Sequence, residues 1–287
     1  MDPYHIYSRF KYRFGLYLFI LLVISSGYGL SSAPAMMFSL FGGMFLHCDE
    51  PKKIIWITDY DNFNEKLSLK VLKGLMKNKV IELKAVIVND EDAALRVRKD
   101  LGNNDIEIAI SNKKKLSSSN LQKQHENNID IIPGYLLINN ILVDNFCTII
   151  CTGDITPLHY IIESKTNLAY LNNIDRIYIA QDVEVKNNRL YPNTNDFRVK
   201  KVFESLQDWI PFVIMGKYAI NQMIITDKDL EEKLKDVPFS TFIYNPALIV
   251  SLTRPDLFKG KFVNMHKLIG VTKDIKPITL PYHLKKY

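Results

Sequence analysis

The 287-residue chain has few of the residue patterns that identify common classes of binding site. It contains three cysteines, and two of them, Cys147 and Cys151, flank an apolar stretch typical of one strand. Four strand residues separate these two positions by about 13 Å, which is too far for a disulfide, so we predict buried thiols. No His/Cys cluster has the spacing of a zinc site, and no P-loop or Gly-x-Gly-x-x-Gly motif occurs.

Positive charge is too sparse to indicate a nucleic-acid-binding protein. The net charge is +6, and the densest basic run is the polar stretch 112–116. Binding to nucleic acid needs a basic face with interleaved aromatic residues, and the sequence shows no such face. We therefore predict no nucleic-acid partner.

Charged residues are absent from one long amino-terminal stretch. No Asp, Glu, Lys, Arg or His occurs in the 33 residues from Phe14 to Leu46. That length exceeds the roughly 20 apolar residues that span a bilayer and the core of about 7–15 residues of a cleaved signal peptide. Of these two alternatives we favour a retained anchor. Residues 1–48 would hold a transmembrane helix, in contact with the lipid bilayer through residues 14–46, and residues 49–287 would form the folded domain.

Glycosylation acceptors are missing as well. The chain is rich in asparagine but has no Asn-x-Ser/Thr sequence. A chain of this composition that folded in a glycosylating lumen would be expected to carry such acceptors by chance. Their absence favours the mitochondrial inner membrane over the endoplasmic reticulum or another secretory membrane.

Strand-like and helix-like patterns alternate after Cys48. Apolar runs bounded by turns indicate strands, and amphipathic runs between them indicate helices. The alternation predicts an α/β domain, with a mostly parallel sheet and helices on both of its faces. Trp56 and Trp209 are expected in its core, and His159 is expected as a surface or packing residue. The predicted strands lie in KIIWITDY, IELKAVIVND, IEIAIS, NFCTIICTGD, IDRIYIAQD and PFVIMGK.

Oxygen-bearing side chains gather where the predicted strands end. Because ligands of an open α/β sheet bind beyond the carboxyl ends of its strands, these residues are candidate ligands. Carboxylate, amide and hydroxyl oxygens are also the donors that calcium prefers. In chain order they are Asp59 and Asp61, Asn89 and Asp90, Thr152 and Asp154, and Gln181 and Asp182.

The order of several short motifs resembles that of the inosine–uridine-preferring nucleoside hydrolase family. Members of that family are calcium-dependent enzymes that cleave the N-glycosidic bond of ribonucleosides. The resemblance extends over residues 52–274 and implies a nucleoside-hydrolase-like fold. The matching motifs are DYDNFNEK, AVIVND, CTGDITPL and YNPALIVSLTRPDLF, whereas IAQD and RLYP depart from the family's pattern.

The resemblance implies family roles for single positions. Asp59 and Asp61 match two acids of the family's calcium signature, and the second of these also activates the attacking water in the family. Thr152 stands where a carbonyl oxygen binds calcium. Glu65 and Asp90 stand at vestigial substrate-binding positions.

Three further positions depart from the family's pattern. Lys66 and Asn245 each replace a calcium-binding acid, and Tyr244 replaces the His that serves the leaving base. An ammonium ion cannot coordinate a cation, and calcium needs about 6–8 oxygen ligands, so we predict a domain without calcium and without an active catalytic residue. The sequence leaves two alternatives for Lys66, which either pairs with Asp59 or Asp61 in place of the metal or points to solvent.

These departures favour an inactive, structural or accessory subunit of a membrane protein complex. The first candidate is a respiratory complex of the mitochondrial inner membrane. Two alternatives stay open, a membrane-anchored N-ribosyl hydrolase with altered metal dependence and a nucleoside-binding sensor. The expected partners are other subunits of the complex and the lipid bilayer.

Overall fold

The structure is a computed structural model of the chain. The described residues, except Glu50, belong to one compact unit, Pro51–Tyr287. The predicted anchor, residues 1–48, lies outside the described residues, and among the described ones no helix is long and apolar enough to cross a membrane. The structure describes residues 50–102, 105–111, 132–164, 168–225, 244–253, 255, 258, 260–271 and 278–280.

Thirteen strands are described. They are β1 (Lys52–Ile57), β2 (Ile81–Val88), β3 (Glu107–Ile110), β4 (Ile132–Pro133), β5 (Cys147–Cys151), β6 (Ile174–Ala180), β7 (Val183–Lys186), β8 (Arg189–Pro192), β9 (Phe212–Met215), β10 (Met223–Ile225), β11 (Lys261–Val263), β12 (His266–Ile269) and β13 (Ile278–Leu280).

Nine of these strands form one sheet in the order β11-β12-β9-β6-β5-β1-β2-β3-β4. Neighbouring strands in this sheet are parallel, except that β11 runs antiparallel to β12. We call the edge at which the parallel strands end the carboxyl edge, and the edge at which they begin the amino edge. β7 and β8 form a separate antiparallel hairpin, and β10 pairs with β13.

Helices cover both faces of the sheet. The described α-helices are α1 (Phe63–Lys77), α2 (Glu91–Leu101), α3 (Gly134–Asp144), α4 (Thr156–Ser164), α5 (Phe197–Leu206) and α6 (Tyr244–Thr253). Side chains of α1, α2 and α6 pack on one face of the sheet, and those of α3, α4 and α5 pack on the other. Successive residues of β1 alternate between the two cores, with Trp56 in the first and Ile57 in the second. The predicted mostly parallel α/β sheet with helices on both faces is confirmed.

Short polar side chains begin the first two helices at the carboxyl edge. The Asn62 side chain accepts a hydrogen bond from the backbone N–H of Glu65, and the Asp90 side chain accepts one from the N–H of Ala93. Each bond satisfies a backbone donor that has no partner inside the helix. Asp90, predicted as a vestigial substrate-binding residue, therefore acts in this structure as a helix cap.

The expectation that Trp209 lies in the core is wrong. Its side chain is 49% exposed, and its indole Nε1–H donates to the carbonyl oxygen of Ser205 at 2.5 Å. Trp209 lies in the turn between α5 and β9, where neither a helical nor a strand period directs a side chain inward. Trp56, by contrast, is fully buried, and His159 is a buried packing residue.

The two strand cysteines are buried free thiols, as predicted. Cys147 and Cys151 are the first and last residues of β5. Burial raises the pKa of the Cys147 thiol to about 11 and that of Cys151 further. A protonated, buried thiol is a poor nucleophile, so both residues serve packing.

Candidate functional site

The segments that follow β1, β2 and β5 meet at the side chain of Asp59. Its Oδ1 accepts hydrogen bonds from Asn89 Nδ2 at 2.6 Å and from the backbone N–H of Asp154 at 2.9 Å. Burial raises the pKa of Asp59, and both hydrogen bonds oppose that rise. Asp59 thus ties three adjacent strand ends together through protein donors.

The loop after β5 passes very close to the loop after β1 at Gly153. A Cβ atom on this residue would overlap the backbone nitrogen and the Oδ1 of Asp59. Only glycine therefore fits here, and its missing side chain allows the next N–H, that of Asp154, to reach Asp59.

Glu65 supports the loop after β1 from within the first turn of α1, where it is 1% exposed. Its Oε1 accepts hydrogen bonds from Thr58 Oγ1 at 2.8 Å and from the backbone N–H of Asp59 at 3.1 Å. Its Oε2 accepts one from the N–H of Asp61 at 2.7 Å. Burial, reinforced by the charges of Asp59 and Asp61, raises the pKa of Glu65 to about 7 against the effect of these bonds. Both carboxylate oxygens are engaged by this loop.

Lys66 does not take the place of a metal ion in this structure. Its side chain is exposed, and among the described residues no carboxylate lies within 4.0 Å of its ammonium group. Lys66 was expected either to pair with Asp59 or Asp61 or to point to solvent. In the structure it points to solvent. Asp61 is also exposed, and its Oδ1 accepts a hydrogen bond from Asn62 Nδ2 at 2.7 Å.

Thr152 is fixed to β1 from two sides. Its Oγ1 accepts a hydrogen bond from Trp56 Nε1 at 2.9 Å, and its backbone N–H donates to the carbonyl oxygen of Ile57 at 2.8 Å. The structure therefore brings Thr152 close to the predicted cluster of Asp59, but its side chain is used to hold β5 against β1.

A guanidinium group that the sequence analysis missed lies beside this cluster. Arg198, in the first turn of α5, has Nη2 at 2.6 Å from Asp196 Oδ2 and Nη1 at 3.5 Å from Asp154 Oδ2. Its Nη1 also donates to Thr156 Oγ1. Hydrogen bonding to Arg198 lowers the pKa of Asp196. The sequence held no signal for this arrangement because α4 and α5 bring the residues together only when they pack side by side.

The remaining predicted positions lie at the start of α6. Asn245 is buried in the first turn of this helix, and α6 packs against α1 and β6. Tyr244 begins the helix, and its side chain lies outside the described part of the chain. The RLYP segment forms β8, and the hairpin turn before it has two residues with left-handed backbone, Asn187 and Asn188.

The side chains at the carboxyl edge do not fit a calcium ion. Calcium needs about 6–8 oxygen ligands, whereas the Oδ1 of Asp59 and both oxygens of Glu65 accept hydrogen bonds from protein donors. Position 66 carries an exposed ammonium group and position 245 a neutral amide. Within the described ranges, no three His, Cys, Asp or Glu side chains are grouped so that they could hold a metal ion.

The fold resembles two solved structures of effector proteins. The crystal structure of the type III effector protein XopQ, complexed with adenosine diphosphate ribose, matches with a TM-score of 0.62 and 12% identity over 83% of this chain and 93% of that chain. The crystal structure of the effector protein XOO4466 matches with a TM-score of 0.61 and 13% identity over 85% of this chain and 95% of that chain. No protein-family model and no curated protein matches the chain. The likeness supports a nucleoside-hydrolase-like fold.

Proposed function

We propose that this domain has kept a nucleoside-hydrolase-like fold without hydrolysing nucleosides. The observation that carries the proposal is that protein donors engage Asp59, at a calcium position of the resembled family, and Glu65, at one of its substrate-binding positions. Without a metal ion, activation of an attacking water would depend on the exposed carboxylate of Asp61, at the position that has this role in the resembled family. The network is suited to holding three strand ends in place.

We further propose that the protein is an accessory subunit of a membrane protein complex. The support comes from the sequence, in which residues 14–46 carry no charge and no glycosylation acceptor occurs. The mitochondrial inner membrane is the proposed location, and a respiratory complex is the first candidate assembly. The proposed partners are the other subunits and the bilayer, and nucleic acid is not among them.

The proposal of an inactive domain is tested by assaying the full-length protein with inosine and uridine, with added calcium and with a chelator. We expect release of free base at the rate of the buffer blank in every condition. Asp61→Asn is the matched control, because Asp61 stands where the resembled family activates the attacking water. Base release that Asp61→Asn abolishes would make the domain a hydrolase, and release that persists in chelator would support the alternative of altered metal dependence.

The proposal of an accessory subunit is tested by isolating the native protein from its membranes and identifying the co-migrating subunits. We expect the protein to resist carbonate extraction and to migrate with a defined set of partners. A form that lacks residues 1–46 should be soluble and should no longer join them. Stoichiometric recovery of this truncated form with the same partners would show that the α/β domain alone carries the attachment.

Binding without turnover is a second candidate function, favoured by the adenosine diphosphate ribose in the XopQ crystal structure. We propose the carboxyl edge beside Asp154 and Arg198 as the place where such a ligand would bind. Calorimetric titration with adenosine diphosphate ribose tests this. Arg198→Gln should weaken the binding, whereas Lys186→Gln, in the hairpin, should leave it unchanged. No heat of binding in the unmutated protein would remove this candidate.

A further inference from the structure

One side of α1 is a row of lysines. Four of them follow one another at intervals of three or four residues, which places them on the same face of the helix. All four side chains are exposed, whereas Glu65, the one acid within α1, is buried and bonded to the loop after β1. The row spans about 16 Å along the helix axis. We call it the α1 lysine row, and its members are Lys66, Lys70, Lys73 and Lys77.

No carboxylate of a described residue neutralises this row. None lies within 4.0 Å of any of its four ammonium groups. The Lys73 ammonium group donates a hydrogen bond to the backbone carbonyl oxygen of Asp100 at 2.9 Å. The carboxylate of Asp100 instead accepts a hydrogen bond from the Tyr60 hydroxyl at 2.7 Å. The positive charge of the row therefore has no partner among the described residues.

The two helices beside α1 do not supply the missing negative charge. α6, which packs on α1, has no charged residue between Tyr244 and Thr253. α2, which Lys73 contacts through Asp100, carries as many bases as acids, so its formal charge is zero. The acids of α2 are Glu91, Asp92 and Asp100, and its bases are Arg96, Arg98 and Lys99.

The charges at the two ends of the row also leave it positive. Asp61 is an exposed acid in the loop before α1. Glu107, at the start of β3, alternates with residues that pack on the face of α1 and α2, so its side chain lies on the other face. At the amino edge, two exposed acids are matched in number by two exposed bases. These four residues are Glu50, Asp105, Lys52 and Lys79.

The row weakens the helix that carries it. Like charges three or four residues apart on a helix repel one another, and every member of the row has such a neighbour. Lys66 also lies near the amino-terminal end of α1, where the helix dipole favours acids over bases. A side that served solubility alone would gain from alternating charges, as in α2. The uniform sign of the row therefore indicates an anionic surface outside this fold.

The residue types of the row favour carboxylates as that anion. Arginine is the cation that binds phosphates bidentately, and recognition of nucleic acid or of a bilayer interface adds aromatic residues. α1 contains no arginine, tryptophan or tyrosine. Acids on one face of a helix recur at the same interval of three or four residues as these lysines. An acidic helix laid along α1 could thus bring a carboxylate to each ammonium group.

We propose that the α1 lysine row is the docking surface for an acidic helix of a neighbouring protein subunit. This inference rests on the accessory subunit of the proposed function, because it needs a protein partner. Charged pairs at such a surface guide the encounter of the two subunits and fix their register, and salt weakens them.

Carbodiimide coupling of the full-length protein in its own membranes tests the proposal. This reagent joins a lysine amine directly to an Asp or Glu carboxyl group, and mass spectrometry of the digested peptides identifies the joined residues. We expect the row to be joined to acids of one co-migrating subunit, spaced three or four residues apart. The yield should fall at least about fivefold in roughly 1 M NaCl, where charges are screened within about 3 Å.

Four exposed lysines away from α1 are the matched control. Acetylation of lysine side chains should be slower in the assembly than in the dissociated protein for the row, and equally fast in both for the control lysines. Changing all four lysines of the row to glutamine should lower the salt concentration that releases the partner subunit, whereas the same change at the control positions should not. Glutamine keeps the helix propensity of lysine, so the variants should fold. The control lysines are Lys186, Lys200, Lys201 and Lys261.

Three results would overturn the proposal, and they have different meanings. A protein that migrates alone removes the accessory subunit of the proposed function and this inference with it. A protein that co-migrates with partners while the row is acetylated as fast as the control lysines keeps its assembly but docks by another surface. Protection of the row without a carbodiimide product would show that lipid or another anion covers it instead of an acidic helix.

Discussion

Glu65 Oε2 accepts a 2.7 Å hydrogen bond from the backbone N–H of Asp61, four residues earlier in the chain. Glu65 stands three residues after the capping residue Asn62, which is the spacing of a capping box. Its carboxylate reaches past Asn62 to two loop donors, the N–H groups of Asp59 and Asp61. The start of α1 and the end of β1 are therefore held by one buried side chain.

Replacing Glu65 with glutamine should destabilise the domain. A glutamine has one acceptor oxygen, so its NH2 group would face the N–H of Asp61 or Asp59, and a buried donor would lose its partner. We expect the free energy of unfolding to fall by roughly 1–3 kcal/mol in urea denaturation at pH 7.5. Lys66→Gln, at the exposed neighbouring position, should change it by less than about 0.5 kcal/mol. Equal effects of the two changes would contradict the role given to Glu65.

The raised pKa of Glu65 should make the domain more stable as the pH falls from 8 to 6.5. The folded protein holds the Glu65 proton to about pH 7, whereas the unfolded chain releases it near the ordinary value of 4.5, so the folded state binds more protons in this window. The free energy of unfolding should therefore rise by roughly 0.5–1 kcal/mol on acidification. Urea denaturation at several pH values measures it.

Two features make that pH experiment specific. Burial lowers the pKa of His266 below its ordinary 6.5, so this residue offsets part of the increase as the pH approaches 6.5, and the comparison with Glu65→Gln removes its contribution. Glu65→Gln should lack the increase. An unchanged pH dependence in the variant would show that another group titrates.

Gly153→Ala should be among the more damaging single changes at the carboxyl edge. The added Cβ would overlap the backbone of Asp59 and displace the N–H of Asp154 from the Asp59 carboxylate. We expect a loss of about 2–4 kcal/mol in the free energy of unfolding. Gly102→Ala is the comparison, because its Cβ would meet open space and the backbone at φ 79° and ψ −162° alone would cost about 1–3 kcal/mol. A smaller loss at Gly153 than at Gly102 would show that the two loops separate easily.

Thermal melts of the unmutated protein should superimpose in calcium and in chelator. We expect this because Lys66 carries an ammonium group and Asn245 a neutral amide at positions where the resembled family has acids. The double change Lys66→Asp with Asn245→Asp supplies two carboxylates, and we expect calcium to raise the midpoint of that variant. A calcium-dependent rise of several degrees in the unfolding midpoint of the unmutated protein would contradict the prediction that the domain binds no calcium.

The sequence predicts those parts of the fold that depend on local periodicity. Buried parallel strands such as β2 and β5 read as apolar runs, and α1 and α2 are amphipathic between polar caps, so their alternation predicts the layered sheet. α3 was missed because its residues GYLLINNILVD are apolar on most sides and show no clear helical period.

The candidate site was predictable only in part for a similar reason. Asp59, Asp61 and Glu65 follow β1 directly, so their neighbourhood can be read from the chain. The contacts of Arg198 with Asp154 depend on how α4 packs against α5, and the exposure of Trp209 depends on a turn. Neither leaves a periodic signal in the sequence.

The central position of β1 has a mechanical consequence. β1 pairs with β2 from Lys52 to Ile57 on one side and with β5 from Ile54 to Ile57 on the other, and both neighbours are parallel to it. A pull on its first residue, directed along the strand from a tether at Lys52, loads both rows of hydrogen bonds in shear at once. A strand at the border of a sheet could instead be peeled away one bond at a time. The domain would therefore transmit force from its amino terminus to the whole sheet before any strand gives way.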